Sequence, residues 1–207
     1  MTRPHRSSRQ YTLVAILLHW VMAVGIMILA IMGLVMVHVE LAPARLFQIY
    51  QLHKSIGVTI LLAAVVRLAW RLMHRPPPLP DTMESLEKTA AASGHLALYF
   101  FLFALPMTGW ALVSASVFSL PTVLYGVILW PDLPVLPDLS DKAPVENLLK
   151  QVHAYGAYAL IALVAVHAVA ALRHHFILKD DVLTRMLPKR SGSRRRSTTA
   201  QTEGPSS

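Results

Sequence analysis

From Gln10 to Val39 the chain runs for 30 residues without Asp, Glu, Lys or Arg. A surface helix of a soluble protein keeps a charged or polar face opposite its apolar stripe, and this segment has no charged face. It is long enough to cross the roughly 30 Å hydrocarbon core of a bilayer even when tilted. The rest of the chain must therefore be arranged relative to a membrane. Composition agrees: 55% of residues are hydrophobic and 14% charged, where about 25% charged is usual in soluble domains. High hydrophobicity argues against disorder, and scarce charge argues against an ordinary soluble enzyme. There is no Cys, so disulfides, iron–sulfur clusters and thiolate nucleophiles are excluded.

Three more spans follow from the same reading. Ser55–Val66 is a charge-free run of 12 residues. It extends to a span near Gln51–Met73 if Arg67 and Arg71 snorkel to an interface. Prolines at 76–78 must end it, because Pro lacks the helix donor. Thr89–Pro131 offers 43 uncharged residues, enough for a span near Ser93–Ser116, kinked at Pro106, and an apolar loop at the interface. Gln151–Leu172, 22 residues, makes the last. The first apolar run is too long for the h-region of a secretory signal. The expected fold is all-α: an integral membrane four-helix bundle with a short interfacial segment before the last span. The four-span domain occupies residues 11–188, between an arm at 1–10 and a Ser/Arg-rich tail at 189–207 expected to be disordered.

Basic residues set the orientation. With the N-terminus inside, inner segments hold 15 Lys and Arg and outer segments hold Arg45, Lys54, Lys142 and Lys150, together the 19 of the chain. The positive-inside rule then puts both termini in the cytoplasm. It also accounts for the net charge of +8, which reads as attraction to anionic lipid and not to nucleic acid.

Ionisable groups within spans are functional candidates by default, and the chain has 10 His against 11 Asp and Glu. His19 in the first span and His167 in the fourth fall at similar depth below the inner interface. His53 and His153 open the second and fourth spans at the outer side. His153 and His167 are 14 residues apart; at 100° per residue they point to nearly the same face, about 21 Å apart along the axis. Two facing imidazoles at one level of a bundle suit a bis-imidazole haem. A second pair in the other leaflet would complete an electron path. Lys54, Arg67 and Arg71 are candidate partners of haem propionates, with ordinary topology signalling as the other reading of the arginines. His95 and His174 are candidates for a quinone pocket or plain interfacial groups, with Lys54 and Ser55 able to serve an outer pocket instead. Any single His could simply bond a neighbouring carbonyl, and a His-lined transporter remains a further class.

The residues also carry a resemblance. Leu18-His19-Trp20, His53-Lys54-Ser55-Ile56-Gly57, Val66-Arg67-Leu68 with Trp70-Arg71-Leu72, Gly94-His95-Leu96, Ala104-Leu105-Pro106 with Gly109-Trp110, the run His167 to Phe176, and Lys179-Asp180-Asp181-Val182-Leu183 leading to Arg185-Met186-Leu187-Pro188 resemble the bacterial cytochrome b561 family. The resemblance covers about residues 9–189. It implies an inner-membrane four-helix cytochrome with two b haems, one held by His19 and His167 and the other by His53 and His153. Some members are superoxide oxidases, which take an electron from superoxide at the periplasmic side and give it to ubiquinone. Others are anchors that serve a dehydrogenase or hydrogenase. Ubiquinone, superoxide or a redox protein, and membrane lipid are accordingly the expected partners.

Overall fold

The computed structural model describes residues 10–74, 76–78 and 83–188. The arm expected over 1–10, apart from Gln10, and the tail expected over 189–207 lie outside the described residues. Helix α1 spans Leu13–His38, α2 Pro43–Met73, α3 Ser85–Ser114 and α4 Ala143–Arg173. All four are long and apolar enough to cross a membrane.

Local chemistry sets their ends. The Thr12 hydroxyl accepts the Ala15 N–H at 3.3 Å and caps α1, satisfying one of the orphan donors of the first turn. Pro43 starts α2, and Pro144 lies in the first turn of α4, where a missing N–H costs nothing. Helix α3 runs on through Pro106. Three helices begin about eight residues before the spans expected from charge-free runs. Backbone hydrogen bonding within a helix continues into the interface, where Arg45, Glu87, Glu146 and Lys150 are tolerated. The charge-free run reports the lipid-embedded stretch, not the whole helix.

The α3–α4 connection differs from a plain apolar loop. It holds a two-stranded antiparallel hairpin, β1 at Thr122–Leu124 and β2 at Ile128–Trp130, then a 3₁₀ turn at Leu136–Asp138. Tyr125 and Gly126 form its tip with φ of 51° and 74°, the pair of positive values that tight hairpins need. The hairpin is tied to α2: Tyr125 N–H donates to Ser55 Oγ at 2.9 Å, and Gln51 Nε2 donates to the Pro121 carbonyl at 3.0 Å.

Helix α1 packs on α2, α2 on α3 and α3 on α4, while α4 makes little close backbone contact with α1 or α2. The packed centre is Met22, Ile60 and Ala64, with Ile26, Leu29, Leu102 and Phe103 around it. Outward faces are apolar: Val21, Val24 and Ile31 on α1 are 57–65% exposed. Such surface is costly in water and neutral in lipid, so the bundle reads as a membrane protein with its backbone groups satisfied internally. Up-and-down order leaves two unlike ends: one with the hairpin, the other with Gln10, the α2–α3 loop and the segment after α4.

Candidate metal centre

His19 on α1 faces His167 on α4, with ring centroids 6.3 Å apart. His53 on α2 faces His153 on α4, also at 6.3 Å. A metal–imidazole bond is about 2 Å and the ring centroid lies about 1 Å behind the ligating nitrogen, so two imidazoles on one metal axis place their centroids about 6 Å apart. Both pairs have that spacing. They bridge the helices that stand off from one another, α4 facing α1 and α2, where a flat cofactor finds room. The pairs lie at opposite ends of the bundle, about 21 Å apart by the rise from His153 to His167.

Side chains around each pair differ. His153 nests on α3, where a Cβ at Gly109 would come 3.0 Å from His153 Cε1. Only glycine leaves that space without moving the ring. Beside it, Thr108 Oγ1 donates to the Leu105 carbonyl at 2.9 Å and lies 3.1 Å from His153 Nδ1. With its one hydrogen directed to Leu105, the hydroxyl would accept from His153, which assigns the ring proton to Nδ1. The other nitrogen, Nε2, is left with a free lone pair, as a metal ligand requires. His53 Nδ1 is buried without a partner among the described residues, and its Cε1 lies 3.9 Å from a Cβ built at Gly33.

At the other end Arg67 Nη2 sits 3.3 Å from His19 Nδ1, and Arg67 Nη1 is buried with no partner among the described residues. A guanidinium only donates, and a neutral His19 ligates through Nε2 only with its proton on Nδ1, so in that tautomer neither Arg67 group has an acceptor among the described residues. A carboxylate entering here would satisfy them. Arg71 lies over the Tyr99 ring, 5.4 Å from its centroid. Lys54 is within electrostatic range of Asp132.

His95 and His174 do not share a partner. His95 is 5.8 Å from the His167 ring, making a row of three imidazoles, His19, His167 and His95. His174 lies seven residues past His167, about 10 Å along the axis, and binds Asp180 at 2.5 Å. Near the first group is a cleft lined by Tyr11, Leu18, Arg67, Trp70, Tyr99 and Met186. A second cleft, between α2 and the hairpin, is lined by Leu52, Ser55, Val123 and Tyr125. Sequence reasoning missed Thr108 and Asp180. Asp180 lies inside the Lys179–Leu183 motif and Thr108 in the gap between Pro106 and Gly109, but only the tertiary contacts show what each faces.

A membrane-spanning bundle with facing imidazole pairs between its helices defines a b-type cytochrome class. Residues 10–189 match the family of prokaryotic cytochrome b561, and the chain belongs to that family. It is 34% identical over 183 residues to cytochrome b561 homolog 2 of Escherichia coli K12, covering 88% of this chain and 93% of that one. It is 28% identical over 186 residues to a probable superoxide oxidase, CybB, of Yersinia pestis, covering 89% and 99%. Cytochrome b561 homolog 1 of Escherichia coli K12 is 28% identical over 138 residues, covering 67% and 74%. Membership makes the protein a haem b-binding membrane electron carrier.

Proposed function

We propose that this protein is a di-haem b cytochrome of the bacterial inner membrane that takes electrons from superoxide at the hairpin end and delivers them to ubiquinone. The observation that carries the reading is the equal 6.3 Å facing of His19 with His167 and of His53 with His153. Each pair supplies two neutral imidazoles to one haem. Arg67 and Arg71 at one end and Lys54 at the other pair with haem propionates, a role supported for Arg67 by its Nη1, unpartnered among the described residues. When bound, haem supplies a one-electron ferrous/ferric couple.

The chain does the rest. If both imidazoles of a pair held the iron, no site would be left for oxygen, and the haem would supply electron transfer without a bond to the donor. Two superoxide anions each give up one electron and leave as oxygen; one ubiquinone takes both electrons and two protons. The excess of 15 inner over 4 outer basic residues supports a periplasmic hairpin and cytoplasmic termini. Ubiquinone binds at the termini end, in the cleft of Arg67, Trp70 and Tyr99. His74 is the imidazole in the lining of that cleft; His95, beside His167, and His174, paired with Asp180, stand outside the lining and are the groups we assign to passing protons toward it. The similarity to a probable superoxide oxidase supports the choice of donor.

A second reading, a cytochrome subunit serving a partner dehydrogenase or hydrogenase, is favoured by one observation. The hairpin end exposes Phe118, Val127 and Leu129 at 69–82%, an apolar surface able to seat a partner. Stopped-flow addition of superoxide to the oxidised, purified protein, with and without ubiquinone, decides between them. Rapid reduction followed by quinone-dependent reoxidation is expected; no reduction by superoxide would leave the subunit reading.

A further inference from the structure

Both imidazole pairs have the same spacing, but their outer partners are of opposite character. Behind His153 stands an acceptor: the Thr108 hydroxyl at 3.1 Å, its own proton directed to the Leu105 carbonyl at 2.9 Å. Beside His19 stands a full positive charge, Arg67, its Nη2 3.3 Å from Nδ1 and offering the ring no acceptor. An acceptor on the outer N–H makes an imidazole a stronger electron donor to its metal. That stabilises the ferric state over the ferrous one. A cation beside the ligand does the reverse.

We infer that Thr108 is a positioning residue that holds His153 with Nε2 toward His53 and lowers the midpoint potential of the haem between them. The inference rests on the di-haem reading and gives it a direction. The hairpin-end haem becomes the lower-potential centre and the haem near Arg67 the higher. Electrons entering at the hairpin then run downhill toward the other end. The device is local to α3: Gly109 lets the ring approach, and the Thr108 hydroxyl, anchored one turn back on Leu105, meets it in one orientation. Valine has the shape of threonine without the hydroxyl, and serine has the hydroxyl without the methyl.

The test is a potentiometric titration of the full chain in detergent, following the haem α-band, for native protein, Thr108→Val and Thr108→Ser. In Thr108→Val the lower of the two midpoint potentials should rise and the upper one stay, with a change in the low-spin ferric resonance of that haem alone; a rise of the upper potential would overturn the inference. Thr108→Ser should restore both. Loss of one haem in Thr108→Val but not in Thr108→Ser would equally assign the hydroxyl to holding His153. Native midpoints in Thr108→Val, or the same haem lost from both variants, would overturn the inference. His153→Ala separates it from the reading beneath. If the native chain binds fewer than two haems, or His153→Ala keeps both, the di-haem reading has failed. If His153→Ala loses one haem and Thr108→Val titrates as native, only the role of Thr108 has failed.

Discussion

His174 Nδ1 and Asp180 Oδ2 lie 2.5 Å apart where the chain turns back after α4, their side chains 10% and 17% exposed. A π-helical turn over His174–Leu178 and Lys179 at φ 52° make the reversal. Asp180 Oδ1 also accepts the Val182 N–H at 3.1 Å. The segment beyond is tied across the end of the bundle: Trp20 Nε1 donates to the Met186 carbonyl at 2.7 Å, and Arg185 Nη1 to the Pro78 carbonyl at 2.5 Å. Met186 thereby becomes a wall of the cleft near Arg67.

Removing the Asp180 carboxylate is expected to loosen this segment. Asp180→Ala strands an enclosed imidazole and a backbone N–H, a loss of about 1–3 kcal/mol. Limited proteolysis in detergent should then cut between 179 and 188 much faster than in the native chain, with haem content unchanged. Asp180→Asn keeps acceptor oxygen and should fall between the two.

Haem stoichiometry tests the paired histidines. Pyridine haemochrome analysis against protein mass should give two haems per chain. Replacement of His153 should remove mainly the hairpin-end haem, and replacement of His19 mainly the other. One haem per native chain would contradict the two-pair arrangement.

Gly109→Ala should act on one pair alone. The added Cβ would stand 3.0 Å from His153 Cε1, so the ring must move by a few tenths of an ångström. The expected result is weaker retention of the haem at His53 and His153, read as partial haem loss on dilution, with the other spectrum intact. Gly57→Ala is the control, since a Cβ there meets nothing within 4 Å.

Quinone reduction at fixed haem occupancy should distinguish the two ends. His174→Ala and His95→Ala are expected to slow turnover at limiting ubiquinone several-fold, and Lys54→Ala to leave it near native. The opposite pattern would move the site to the cleft beside Ser55 and Tyr125.

Sidedness is open to reporter fusions. A fusion at Asp138 should report the periplasm and one at Ser207 the cytoplasm. A periplasmic signal at Ser207 would put the hairpin on the cytoplasmic side and the His19–His167 pair on the periplasmic side.

The four helices were legible because membrane solvation imposes itself residue by residue. A charge-free run such as Gln10–Val39 has no other inexpensive home. Their ends were less legible: α2 begins at Pro43 and not near Gln51, because helical hydrogen bonding does not stop where apolar residues do. The hairpin was missed because three-residue strands carry almost no periodic signal. Tyr125-Gly126 is a tip only once β1 pairs with β2.

The pairing of His19 with His167 and of His53 with His153 followed from depth alone, since helix rise and span order fix the level of each residue. What surrounds each ring did not. Thr108 and Gly109 reach His153 only through the packing of α3 on α4, and Arg67 reaches His19 only through that of α2 on α1. Along one helix, spacing sets height and face. Which neighbour meets that face, and whether it accepts or donates, is decided by the approach of a second helix, and sequence spacing carries no term for that.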